Sequence, residues 1–215
     1  MLKDKRVTLF CGHYGSGKTN FAVNYAFYLN SLGKKVAIGD LDIVNPYFRT
    51  KDSEEDLIMA GIEVISLPFA NTSVDLPSLP AGAYSLVQNK SRYAVLDIGG
   101  DDRGAYALGR YAPYILQEND YNMLYVVNFA RPLTQSAKEA FEVMGEIEAA
   151  CKIPFTAIVN NTNLGEETTR EFIENSFWKA KELSEISGLP IAMTGAKRDI
   201  CGENMFPLTL QKKYF

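Results

Sequence analysis

The octapeptide GHYGSGKT at residues 12–19 constrains this chain more than any other stretch. Its glycines at 12, 15 and 17 let the backbone curl tightly, and Lys18 and Thr19 complete the spacing G-x-x-x-x-G-K-[ST]. The run RVTLFC before it predicts a short strand. The stretch NFAVNYAFYLNS after it predicts a helix over about 19–31 with a broad apolar face, ending near Gly33. Strand, glycine-rich loop and helix together make a phosphate cradle. Successive loop amides and the helix start donate to phosphate oxygens, and Gly12, Gly15 and Gly17 allow their close approach. Ser16 shapes the loop, Lys18 brings an ammonium to the terminal phosphates, and Thr19 offers its hydroxyl to magnesium. The expectation is a phosphate-binding loop of the P-loop NTPase type.

The rest of the chain alternates in the same manner. VAIGD, IEVISLP near 62–68, YAVLDIGG at 93–100, MLYVVNF, PFTAIVNN and LPIAMTG read as short buried strands. Between them, apolar residues recur at helical spacing at Ala105, Leu108, Ala112, Ile115 and Leu116. They recur again from Ala137 through Ala140, Phe141, Met144 and Ile147 to Cys151, and a final helix is predicted over about 167–185. The predicted fold is therefore α/β, a mostly parallel sheet flanked by helices on both faces. The segment 71–80 reads as a connecting loop, and Phe172, Phe177 and Trp178 as packing aromatics. At 215 residues the chain is expected to form a single nucleotide-binding domain over 1–215.

Composition narrows the function. The net charge is −4 and no basic stripe is visible, which argues against an extended nucleic-acid footprint. Cys11, Cys151 and Cys201 are widely spaced and form no CxxC pair, so reduced thiols in a cytoplasmic protein are expected. The N-terminus lacks a signal-peptide pattern, no apolar run is long enough to span a bilayer, and the tail FPLTLQKKYF is too short for an interfacial anchor.

Three acidic stretches supply candidates for the metal and for water. Asp97 follows YAVL at a strand exit, where a carboxylate can hold magnesium through water. In GDLD, Asp40 and Asp42 lie two residues apart and point the same way on an extended segment. Asp40 is assigned to the metal's surroundings and Asp42 to orienting water. Asp101 and Asp102 either bind metal-linked water or cap the helix that begins near Arg103.

The stretches GHYGSGKT, VAIGDLDIVNP, YAVLDIGGDD and TAIVNNTN together resemble the CobQ/CobB/MinD/ParA nucleotide-binding proteins over essentially the whole chain. That resemblance implies a slow, magnesium-dependent ATPase with ATP as its nucleotide. It also implies a switch whose state governs a homodimer or an unidentified protein client. It matches Lys18 and Thr19 to the phosphate and magnesium positions, Asp40 and Asp97 to the metal-associated acids, and Asp42 to the acid that orients water. Asn160 falls at the strand-end asparagine that contacts adenine, and VNNTN does not reproduce the guanine-recognition pattern NKxD. His13 departs from the family, because many relatives carry there a lysine that reaches across a dimer. Arg49 and Arg103 are alternative sources of that charge. A regulator with little hydrolysis and, less favoured, a small-molecule kinase are the rival expectations.

Overall fold

The computed structural model describes residues 3–41, 53–66, 81–99 and 102–210. Strands β1 (Val7–Cys11), β2 (Val36–Leu41), β3 (Glu63–Ser66), β4 (Tyr93–Ile98), β5 (Tyr121–Val127), β6 (Ala157–Asn160), β7 (Ile191–Lys197) and β8 (Phe206–Leu208) form one sheet in the order β3-β2-β4-β1-β5-β6-β7-β8. Every neighbouring pair is parallel. The α/β expectation therefore holds, with a sheet more uniformly parallel than the sequence required.

Both faces of the sheet are covered, which is why its central strands are almost continuously apolar. Along β1, Val7, Leu9 and Cys11 face one core and Phe10 the other. The first core is closed by helices α3 (Ala81–Gln88), α4 (Asp102–Gly109), α5 (Ala112–Glu118), α6 (Ala137–Cys151) and α8 (Phe177–Ser187), through Leu86, Leu108, Ile115, Met144 and Leu183. The second core is closed by α1 (Lys18–Ser31) and α2 (Glu54–Met59), through Phe21, Tyr25, Leu29 and Leu57. Phe206 of β8 stacks on Phe21, with ring centroids 5.6 Å apart.

Three local outcomes differ from the sequence expectation. The single helical run expected from Ala105 to Leu116 is two helices that meet at Arg110 and Tyr111, with a proline in the first turn of α5. The helix expected over 167–185 begins as a 3-10 turn at Gly165–Glu167 and divides into α7 (Arg170–Glu174) and α8. At that break Ser176 is buried and donates its hydroxyl to the Ile173 carbonyl at 2.6 Å. The tail segment at Phe206 forms an edge strand despite Pro207, a position where a missing amide is tolerated. No helix among the described residues is long and apolar enough to cross a membrane.

Chain order places the site. From β1 the chain builds the β2–β3 edge, returns to β4 beside β1, and then lays β5 on the other flank. Ligands of open parallel sheets bind beyond the carboxyl ends of strands at such a reversal. The loop of residues 12–17 lies there.

Candidate nucleotide-binding site

The loop leaves β1 and passes straight into α1 through close backbone contacts. A Cβ at Gly12 would lie 2.1 Å from the Val126 carbonyl oxygen, so no larger residue fits against β5. Gly17, at φ +85°, is the N-cap of α1, and a Cβ there would meet Asn161 Nδ2 at 2.3 Å. No side chain caps α1, so its first-turn amides point into the loop without a carboxylate or hydroxyl before them. The Ser16 amide donates to the His13 carbonyl at 3.1 Å, closing the curl.

Two polar groups in this cradle lack protein partners. Lys18 is only 6% exposed, and no carboxylate pairs with it among the described residues. The Ser16 hydroxyl is buried without a hydrogen-bond partner among the same residues. A lysine without a carboxylate partner and an orphaned hydroxyl beside uncapped amides suit a dense anion.

The metal side of the site is equally local. Thr19 Oγ1 donates to Asp97 Oδ2 at 2.5 Å, joining the first turn of α1 to the end of β4. Asp40 on β2 is the direct register partner of Asp97, so the two carboxylates leave adjacent strands on the α1 face. A hydroxyl and two carboxylates are the hard oxygen donors that magnesium takes, and Thr19, Asp97 and Asp40 are the residues that would hold it. Asp42 and Arg49 lie outside the described residues, as does Asp101, and the side chains of Asp102 and Arg103 are not described.

Asn160 ends β6 beside Val127 and Thr194, fully buried. Its Nδ2 donates to Ser176 Oγ at 2.8 Å, while its Oδ1 accepts from the Thr162 amide at 3.2 Å and the Thr162 hydroxyl at 2.7 Å. The side chain binds the break between α7 and α8 to the strand end. His13 is half-buried, with Nδ1 3.1 Å from the Tyr14 carbonyl oxygen.

This arrangement of sheet and helices is found in solved structures of FtsY. The signal recognition particle receptor FtsY from Elizabethkingia anophelis, in complex with GDP, matches with a TM-score of 0.56 and 18% identity. That match covers 99% of this chain and 62% of the receptor. The cell division protein FtsY of Thermotoga maritima matches with a TM-score of 0.64 at 15% identity, over 96% of this chain and 66% of that one. FtsY of Mycoplasma mycoides gives 0.59 at 16% identity, over 92% and 61% of the two chains. Identities this low establish the shared fold alone, and this chain spans about three fifths of the FtsY length. No protein-family model and no curated protein matches the chain.

These matches correct the family and nucleotide expected from the sequence. The solved structures just described are FtsY proteins, one holding GDP, and none is a CobQ/CobB/MinD/ParA protein. The ATP cofactor, the ATP-driven switch and the ATPase activity drawn from that resemblance fall with it. The physical reason lies in the motifs. Strand-end carboxylates and a strand-end asparagine serve any P-loop sheet of this topology, so GDLD and VNN carry less family information than their number suggests. The adenine argument also leaned on Asn160, whose amide is engaged within the protein.

Two further residues grip the loop from outside, and a third braces them. Asn161 Nδ2 donates to the Ser16 carbonyl at 2.7 Å, and Arg131 Nε donates to the Gly15 carbonyl at 3.2 Å. Asn128 joins the segments bearing them: its Oδ1 accepts the amides of Ala130 and Asn163, and its Nδ2 donates to the Asn163 carbonyl. Nothing in the local sequence ARPLT announces Arg131. The only available signal was the position of Asn128 and Asn161 at the ends of two apolar strand runs.

Proposed function

We propose that this chain is a magnesium-dependent guanine-nucleotide switch, built as one nucleotide-binding domain over residues 1–215. The observation that carries the proposal is Lys18, buried beneath the glycine loop with no carboxylate partner among the described residues. A lysine packed into the loop in this way leaves its ammonium without a carboxylate, and a nucleotide's phosphates supply the anion. Guanine is favoured over adenine because an FtsY of the same fold holds GDP.

In this proposal the loop amides and Lys18 bind the phosphates. Thr19 would coordinate magnesium, with Asp97 and Asp40 placed to hold the metal's water. Held there, magnesium would supply positive charge that offsets the phosphate oxygens. Asp42 is proposed to orient the attacking water in a slow hydrolysis of GTP to GDP. Gly99 packs against Gly104 of α4, where a Cβ would sit 2.7 Å from the Gly99 backbone, so a shift at the strand exit reaches the helix directly. A protein partner that reads this shift, and a cytoplasmic setting, belong to the same proposal.

The test is equilibrium binding of fluorescent GDP and GTP to the 215-residue chain with magnesium, with ATP and ADP as competitors. Saturable guanine-nucleotide binding that Lys18→Ala removes is the expected result. Adenine nucleotides that compete as well as guanine ones would overturn the base assignment, and no binding of either would overturn the switch.

A further inference from the structure

Arg131 lies in the β5–α6 connection, a turn built to present it. Its amide donates to the Asn128 carbonyl at 3.1 Å, and its own carbonyl accepts the Thr134 amide at 3.3 Å. The buried Thr134 hydroxyl returns to the Asn128 carbonyl at 2.8 Å. The side chain runs along the phosphate loop: a Cβ at Gly15 would be 3.5 Å from its Nε, 3.6 Å from Cδ and 4.0 Å from Cγ. The guanidinium then donates to the Gly15 carbonyl. Among the described residues no carboxylate pairs with it, whereas Arg6, Arg92 and Arg170 each meet one.

The neighbouring carbonyl, that of Ser16, is held by Asn161 at 2.7 Å. Donors from the connections after β5 and β6 thus hold two consecutive loop carbonyls. Because a peptide's C=O and N–H point in opposite directions, the hold on the Gly15 carbonyl fixes the Ser16 amide on the His13 carbonyl, which closes the curl, and the hold on the Ser16 carbonyl turns the Gly17 amide away from Asn161. A cationic donor also polarises the Gly15–Ser16 peptide more than a neutral one does.

We infer that Arg131 is a positioning residue for phosphate binding: its hold on the Gly15 carbonyl fixes the loop's closed curl, and with it the place of the amides beyond Ser16 that meet the nucleotide's phosphates. The inference deepens the proposed nucleotide site and rests on it. It assigns to the β5–α6 connection a part in retaining nucleotide that is separate from Lys18 and from the magnesium ligands.

The experiment measures release of fluorescent GDP from the full chain with magnesium, for the unmodified protein, Arg131→Ala and Arg131→Lys. Arg131→Ala is expected to speed release about fivefold, the effect of one hydrogen bond. Arg131→Lys, which still donates to the carbonyl, should recover most of the loss. Inorganic tripolyphosphate, which has no base, should weaken as a competitor by the same factor. The nucleotide-free melting temperature of Arg131→Ala should stay unchanged, because the side chain is exposed. Unchanged release overturns the inference while leaving the nucleotide site standing. So does faster release matched by a lower nucleotide-free melting temperature. If the unmodified chain binds no nucleotide at all, both ideas fail.

Discussion

Gly17 shows how one atom decides the site. Its φ of +85° already disfavours a side chain, and the missing Cβ is the space that Asn161 Nδ2 occupies while bonding Ser16. Gly17→Ala is therefore expected to cost about 1–2 kcal/mol from the left-handed backbone alone, plus the broken clasp. Guanine-nucleotide affinity should fall at least tenfold in a titration. Gly33→Ala is the matched control, with φ +74° and open space around it. It should lower the melting temperature and leave affinity intact; equal losses of affinity would refute the steric argument. The cysteines offer a second check at this scale. Cys11 and Cys151 are buried, and burial pushes both thiols up, whereas Cys201 is partly exposed. At pH 8 a folded sample should alkylate first at Cys201, as read by mass spectrometry; early labelling of Cys11 would contradict its packing.

Among the elements, α6 depends on its start. Ser136 Oγ accepts the Glu139 amide at 3.2 Å, and Glu139 returns its carboxylate to the Ser136 amide at 2.9 Å. Ser136→Ala should destabilise the protein by about 1 kcal/mol in urea unfolding. The Ser136 amide and hydroxyl hold the Glu139 carboxyl below its usual value. A depressed carboxyl contributes stability above its unfolded pKa and loses it as the pH falls through its folded one. Glu139→Gln should therefore shrink the loss of stability on moving from neutral to acid pH; an unchanged acid slope would rule that contribution out. The strand–loop–helix at GHYGSGKT was legible in the sequence. The break between α7 and α8 was not. It depends on Ser176 reaching Asn160, a contact across 16 residues that no local period records. Arg131 was hidden for the same reason, since its partner lies 116 residues away.

Across the whole molecule, binding and stability sit at opposite ends of the parallel sheet. The carboxyl ends carry the phosphate loop, which the chain's motifs announced because each lies within a few residues of its own chemistry. The amino ends carry Arg6, which nothing in the sequence singled out. It is 7% exposed, ion-paired with Glu118 of α5, and donates to the carbonyls of Leu86, Val87 and Asn89 at the end of α3. Removing one partner of such a pair leaves the other charge buried, at about 3–5 kcal/mol. Arg6→Met should lower the nucleotide-free melting temperature by roughly 6–20 °C, taking about 2–4 °C per kcal/mol for a chain of this size. It should leave guanine-nucleotide affinity in the folded protein unchanged. Lys18→Ala should do the reverse. Losing a charge that meets no carboxylate among the described residues should leave the nucleotide-free protein about as stable, but abolish stabilisation by ligand. At a hundredfold excess of GDP over its Kd, ligand stabilises the unmodified chain by about 2.7 kcal/mol. That corresponds to a rise of roughly 5–11 °C in a melting scan, which Lys18→Ala should lack and Arg6→Met should keep. If Arg6→Met also lost the rise, the two ends of the sheet would be coupled rather than independent, and the division of labour would be wrong.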